Sequence, residues 1–169
     1  ELDQSQKALP YLLVLEQFLP SHPKVQKISG WVAQNRGITV EAIKLYESSF
    51  NGDPNDLGTI INLGNLLISQ EMWHKSIRHY KKALEFHPNE PIFLEKLGSL
   101  LVNCPDTSFR NAEAGRVYSE RAYMHVRSSP RTTISAGRNL AIAFAYLGEF
   151  QNAGMVINQT MDMARQQNF

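Results

Sequence analysis

The sequence contains almost no cysteine and has no excess of charge of either sign. Its single cysteine, Cys104, excludes an internal disulfide and a cluster of thiolate metal ligands, and we expect it to be a small packing residue. Lys and Arg number 17 against 16 for Asp and Glu, so no global charge draws the chain to nucleic acid or to anionic lipid. Nucleic acid is therefore not an expected partner.

Long apolar runs are also lacking. The longest spans about eight residues, from Leu140 to Leu147, whereas a helix needs roughly 20 to cross a bilayer. We therefore expect no direct insertion into a membrane. With 43% hydrophobic and 20% charged residues, the 169-residue chain is expected to fold throughout its length.

Residues able to carry out chemistry are present but are not grouped into a motif. Two histidines on one helical face would lie three or four residues apart, and no pair of the five has that spacing: His22, His74, His79, His87 and His125. There is no glycine-rich loop ahead of a lysine to hold a phosphate. The sequence predicts no catalytic, metal or cofactor site, and the chain is not expected to be an enzyme.

A repeat with a 34-residue period is present instead. Three prolines and three glycines keep that interval: Pro20, Pro54 and Pro88, and Gly30, Gly64 and Gly98. A glycine in one helix and a small residue in the next let two helices pack closely. Each proline follows a predicted helix end, because a residue without an N–H stops a helix. The period therefore predicts a series of helix pairs.

The pattern in the second regular unit resembles the tetratricopeptide repeat family. The residues that carry the resemblance are Leu63, Gly64, Leu67, Ser76, Tyr80, Ala83 and Pro88. The closing units, with Cys104-Pro105-Asp106 and Gly148-Glu149-Phe150, are similar to those of bacterial proteins with many such repeats. The resemblance implies an all-α fold, a right-handed superhelical solenoid of antiparallel helix hairpins.

We predict that the chain is a single array. Its sections are a partial leading unit at 1–22, regular repeats at 23–56 and 57–90, a repeat with an insertion at 91–133, and a final repeat at 134–169. The insertion is expected to form a turn followed by a helix cap at Pro105 and Asp106. Pro10 would fall in the second turn of the leading helix, so either that helix starts near Pro10 or the repeat phase fails there. The truncated first unit suggests that more repeats precede it in a parent protein.

The resemblance also implies a concave groove lined by the first helix of each pair. The candidate groove residues are Lys27, Trp31, Ile61, Asn65, Lys96 and Arg138. Trp31 would be an apolar anchor for a peptide, although it can equally pack under the preceding helix. Asn65 is suited to pair with a peptide backbone.

Some family members capture the C-terminal carboxylate of chaperones with a clamp of lysine, arginine and asparagine side chains. Lys27, Asn65 and Lys96 occupy three of its five positions. Trp31 stands where the clamp has asparagine, and Ile92 where it has lysine. Capture of a chaperone tail is therefore disfavoured.

The sequence thus predicts a non-catalytic scaffold that binds a protein or peptide in the groove. The alternative is an accessory region of a larger enzyme, such as a membrane glycosyltransferase or a sulfatase, that serves positioning or oligomerisation. In that case the partner is another domain of the same parent chain, or a second copy. Binding of single-stranded RNA would need a basic groove, and the near-neutral charge disfavours it.

Overall fold

The computed structural model describes residues 4–125 and 128–167. Within these residues the regular structure is entirely helical, which confirms the predicted all-α class. The helices are α1 (Gln4–Phe18), α2 (Pro23–Asn35), α3 (Thr39–Gly52), α4 (Leu57–Ser69), α5 (Trp73–Phe86), α6 (Pro91–Asn103), a 3₁₀ turn (Thr107–Phe109), α7 (Ala112–Tyr123), α8 (Pro130–Tyr146) and α9 (Phe150–Gln166). Residues 1–3 of the predicted leading unit, and residues 168 and 169 of the final one, lie outside the described part.

The chain forms two compact units. The first, which we call the N-unit, ends at Met72, and the second, the C-unit, begins at Trp73. This division falls inside the predicted repeat at 57–90. The predicted partition of the chain into one array with five sections stays a prediction.

The N-unit packs α2 against α1 and α3, and α3 against α4. One buried cluster draws on α2, α3 and α4: Ala33, Ala42, Ile43, Tyr46, Leu63, Leu66 and Leu67. A smaller cluster joins α1 to α2: Leu12, Val25 and Val32. Gly30 lies against the ring of Tyr46, where an added Cβ would approach Tyr46 Cδ1 to 3.0 Å. The recurring glycine thus allows α2 and α3 to approach closely.

Helix α1 begins at Gln4 and runs through Pro10, so the predicted helix start near Pro10 is wrong. The other alternative, a failure of the repeat phase in this segment, stays a prediction. An internal proline costs a helix about 3 kcal/mol, because it removes one hydrogen bond and crowds the preceding turn. Pro10 is exposed, whereas Leu12 is buried against Val25 and Val32 of α2. Burial of Leu12, which is worth about 1.5–3 kcal/mol, offsets much of that cost.

Helix α4 begins at a cap that also forms an ion pair. Asp56 accepts hydrogen bonds from the backbone N–H groups of Gly58 at 3.0 Å and Thr59 at 3.4 Å. Lys27 Nζ lies 2.8 Å from Asp56 Oδ2 and 3.1 Å from Oδ1, which ties α2 to the start of α4. Partial burial acts to raise the pKa of Asp56, but the hydrogen bond and charge of Lys27, with the bonds from Thr59, outweigh it and hold the pKa below its usual value.

The C-unit packs α6 against α5, α7 and α8, and α8 against α7 and α9. A buried cluster joins α6, α7 and α8: Leu94, Ala122 and Ala136. The insertion is a turn in which Asp106 caps the 3₁₀ segment and Asn111 caps α7, as predicted for Asp106. Arg110 Nε donates to the carbonyl of Cys104 at 2.7 Å, and Cys104 is buried as expected.

Replacing Gly98 by alanine tests the close approach of α6 and α7. The new Cβ would meet the Ser119 hydroxyl and come within 3.1 Å of the Ser119 backbone nitrogen, which cannot easily move. We expect Gly98→Ala to lower the free energy of unfolding by about 1–3 kcal/mol. Gly154→Ala is the matched control: no atom of a described residue crowds its Cβ position, so the free energy of unfolding is expected to rise by about 0.5–1 kcal/mol. Urea unfolding followed by circular dichroism measures both, and a Gly98→Ala protein as stable as wild type would contradict the packing.

Removing the Asp56 side chain tests the cap and the ion pair together. Asp56→Ala should destabilise the protein by about 1–2 kcal/mol, because it leaves two helix N–H groups without their acceptor. Asp162→Ala is the control; it breaks an exposed ion pair to Arg165 and should cost less than about 0.5 kcal/mol.

The pH dependence separates the two roles of Asp56. Asp56→Asn keeps a capping oxygen but loses the charge that pairs with Lys27. The folded-state pKa of Asp56 is lowered. The extra free energy of unfolding that wild type has over Asp56→Asn is therefore fully present above the ordinary Asp pKa of about 3.9. It should disappear as the pH falls through the lowered value. An advantage that persists in acid would show that the charge is not its source.

Candidate functional site

Two of the candidate groove residues in the N-unit already make contacts within the protein. The ammonium of Lys27 is paired with Asp56, as described above. Trp31 is half-buried and packs against both N-unit clusters. Packing was the alternative to its predicted role as a peptide anchor. A ligand would have to compete with these contacts.

The other two N-unit candidates share one face of α4. Ile61 is half-buried and Asn65, one turn later, is exposed. Asn65 therefore presents its amide to solvent, where it is available to a peptide backbone. A groove role for these four residues stays a prediction.

The C-unit brings its two candidates, Lys96 and Arg138, to one cavity. The cavity has a volume of about 410 Å³ and lies between α6 and α8. Its walls are Ile92, Glu95 and Lys96 from α6, and Arg131, Thr132, Ile134, Ser135 and Arg138 from α8. Two residues far apart in the sequence, each predicted from its position within a repeat to face the groove, thus line one concave surface.

Glu95 is a buried carboxylate at this cavity, with 5% of its surface exposed. Its Oε1 accepts a hydrogen bond from Ser135 Oγ at 2.5 Å and one from Asn139 Nδ2 at 3.4 Å. Lys96 Nζ lies 3.5 Å from the other oxygen, Oε2. These partners compensate for much of the cost of removing the carboxylate from water.

The polar network extends beyond the cavity. Asn139 is fully buried, and its Oδ1 accepts from Asn103 Nδ2 at 2.9 Å, which adds a second polar link between α6 and α8. Burial and the negative charge of Glu95 raise the pKa of the Tyr80 hydroxyl on α5. Tyr80 therefore stays protonated at physiological pH.

The cavity carries a positive charge. Among the residues that the structure describes, its lining holds three cations, Lys96, Arg131 and Arg138, and one carboxylate, Glu95, which give a net charge of +2. Arg131 and Arg138 are exposed, and neither is paired with a carboxylate among the residues that the structure describes. The site can therefore attract an anion without first breaking an ion pair of either arginine.

Sequence reasoning missed Arg131 and Ser135. The signal that would have found them is the spacing of Arg131, Ile134, Ser135 and Arg138, at i, i+3, i+4 and i+7, which places four side chains on one face of a helix.

Other kinds of site are not evident in the described part of the chain. No three His, Cys, Asp or Glu side chains there are grouped so as to hold a metal ion. No helix among the same residues is both long enough and apolar enough to cross a membrane.

Similarity in sequence to curated proteins is limited to part of the chain. No family model matches it. The photosystem I assembly protein Ycf3 of Synechococcus sp. (strain CC9605) is 33% identical over 72 residues, which is 41% of this chain and 42% of the relative. The Ycf3 protein of Prochlorococcus marinus is 36% identical over 72 residues, again 41% of this chain and 42% of the relative. The match thus spans less than half the length of these relatives.

Similarity in structure extends over nearly the whole chain. A structure of MamA, from position 41 to the end, of Desulfovibrio magneticus RS-1 has a TM-score of 0.74 and 16% identity, covering 98% of this chain and 88% of that one. YrrB, described as a TPR protein with an unusual peptide-binding site, has a TM-score of 0.73 and 15% identity, covering 95% and 78%. The chain therefore has the tetratricopeptide-repeat solenoid fold, and the fold that the sequence predicted is confirmed.

Proposed function

We propose that this chain is a non-catalytic scaffold that binds a protein or peptide, and that the cavity between α6 and α8 is a contact site for the ligand. The observation that carries the proposal is the meeting of Lys96 and Arg138 on one concave surface. Both side chains are predicted from the sequence to line the groove. An isolated lysine or arginine on a solvated face would not support a binding site.

The dimensions and the chemistry of the cavity suit a short peptide segment. Ligand pockets usually measure about 300–1,000 Å³ and combine apolar walls with a few polar groups that fix orientation. Here Ile92 and Ile134 supply apolar surface, and Ser135 supplies a hydroxyl. The described peptide-binding site of YrrB supports such a role for the fold, and the name of Ycf3 as an assembly protein supports a scaffold.

The N-unit offers a second, separate contact. Asn65 is exposed beside Ile61 and is the N-unit residue best placed to pair with a peptide amide. Lys27 and Trp31 are secondary contacts, because Asp56 and the two apolar clusters already hold them.

A second candidate function is the accessory one, in which the chain positions or oligomerises a larger enzyme. Helix α1 favours it, because four apolar side chains at i, i+3, i+4 and i+7 are exposed along one face: Tyr11, Val14, Leu15 and Phe18. Solenoid proteins cover such terminal faces with a cap or with another domain. Here the occupant of the face would be a further part of the parent chain.

Selection from a random peptide library displayed on phage tests ligand binding without knowledge of the partner. Peptides that bind wild type should bind Lys96→Gln/Arg138→Gln at least about tenfold more weakly, a loss of about 1.4 kcal/mol. Fluorescence anisotropy with the synthetic peptides measures the loss. Asn65→Ala tests the N-unit contact in the same assay.

The matched control removes two charges from outside the cavity. Lys75 and Lys81 are exposed on α5 and do not line the cavity, so Lys75→Gln/Lys81→Gln should bind as wild type does. Circular dichroism verifies that each variant is folded. If the library yields no peptide, or if the cavity variant binds every selected peptide as wild type does, the cavity is not the contact site and the accessory function gains support.

A further inference from the structure

We infer that the cavity between α6 and α8 selects an acidic peptide segment, with two side-chain carboxylates about three residues apart and an apolar residue between them. This inference rests on the proposed function and names the class of ligand. It is distinct from capture of a C-terminal carboxylate, because the anions recognised are side chains within a segment.

The α8 wall sets the spacing of the two anions. Arg131 and Arg138 are seven residues apart, so they lie on the same face of the helix and are separated by a rise of about 10 Å. Ile134 lies between them and also lines the cavity. The wall therefore presents a cation, an apolar side chain and a second cation in that order.

The α6 wall adds a third cation, and the charge of its one carboxylate is compensated. Lys96 keeps 35% of its side chain exposed, so its ammonium remains accessible from the cavity. Glu95 would repel an acidic ligand if its charge were uncompensated. Instead, the Glu95 carboxylate is buried, accepts hydrogen bonds from Ser135 and Asn139, and lies beside the Lys96 ammonium. The charge that an incoming carboxylate meets is therefore positive.

An extended peptide matches this spacing. A polyproline-type extended chain rises about 3.1 Å per residue with three residues per turn, so side chains three residues apart lie on one side and about 9 Å apart. Two glutamates at that interval can each reach one of the two guanidinium groups, which bind carboxylates with paired N–H donors. A side chain between the glutamates projects about 120° to one side of them, so it can contact Ile92 on the opposite wall, α6.

A single terminal carboxylate fits less well, because Arg131 and Arg138 are separated by a rise of about 10 Å along α8 and one carboxylate offers a single anion to the two of them. In addition, Ile92 stands where the chaperone-tail clamp has lysine. Single-stranded nucleic acid also fits poorly, since its binding sites add aromatic side chains on which bases stack. Among the described residues that line the cavity, none is aromatic.

Basic residues on helix α5 provide a control for nonspecific electrostatic binding. Lys75, Arg78 and Lys81 are exposed along it and form a basic surface that does not line the cavity. If an acidic peptide binds only because the protein carries cations, removing charge from α5 will weaken binding as much as removing charge from the cavity. If the cavity selects the peptide, only the cavity charges will matter.

The experiment uses labelled peptides with an acetylated N-terminus and an amidated C-terminus. The probe contains Glu-Leu-Ser-Glu within a serine and glycine background, and the companion peptide has glutamine in place of both glutamates. Fluorescence anisotropy at a salt concentration of about 0.15 M limits attraction from distant charges. Wild type should bind the glutamate peptide at least about tenfold more tightly than the glutamine peptide.

The variants locate that preference. Arg131→Gln/Arg138→Gln should reduce the ratio of the two affinities to near one, whereas Lys75→Gln/Lys81→Gln should leave it unchanged. Three further probes test the ligand class. Moving the glutamates next to each other and replacing leucine by serine should each weaken binding, and the glutamine peptide with a free C-terminal carboxylate should bind no better than its amide.

Several outcomes would overturn the inference: equal affinity for the glutamate and glutamine peptides, recovery of full affinity by a free C-terminus alone, equal losses in the α5 and cavity variants, or equally tight binding of an RNA oligonucleotide. The proposed function fails separately. If library-selected peptides lack acidic residues but still depend on Lys96 and Arg138, the cavity binds peptides and only the ligand class is wrong.

Discussion

The close approach of neighbouring helices at glycines is the constraint on which the rest of the structure depends. In the C-unit, a Cβ at Gly98 would meet Ser119 of α7, and a Cβ at Gly137 would meet Thr160 of α9 and the ring of Tyr123. These glycines fix the separations of α6, α7, α8 and α9 to within the width of one methyl group. Lys96 is two residues before Gly98, and Arg138 directly follows Gly137. The packing that defines the repeat therefore also positions the charged residues of the cavity.

The buried polar network supplies what apolar packing lacks, namely a fixed pairing between α6 and α8. Apolar contacts tolerate small shifts of one helix along another, whereas Glu95, Ser135, Asn139 and Asn103 satisfy one another only in one register. A shift of one helical turn would leave a buried carboxylate without its donors, which is costly. The network thus holds the two walls of the cavity in one alignment before a ligand arrives, and a preformed site loses less entropy on binding.

The fold could be predicted from the sequence because its determinants recur every 34 residues. Glycine and proline at fixed positions mark close packing and helix ends, and both effects are local. The error at Pro10 arose because a local penalty was weighed without the burial of Leu12 that offsets it. The site was less predictable, since its contacts join distant segments. The pairing of Lys27 with Asp56 spans 29 residues, and Arg131 fell in a segment assigned to the end of the preceding repeat, although α8 already begins at Pro130.

The small net charge of the chain limits how the cavity can distinguish one acidic ligand from another. A formal charge of +1 for the whole chain produces little long-range attraction, so selectivity cannot come from steering an anion over long distances. The net charge of +2 in the cavity acts within a Debye length of about 8–10 Å, which is close to the separation of its two arginines. Each carboxylate therefore interacts mainly with the guanidinium nearest to it. The geometry of the two cations, more than the total charge, then determines which acidic segment is bound.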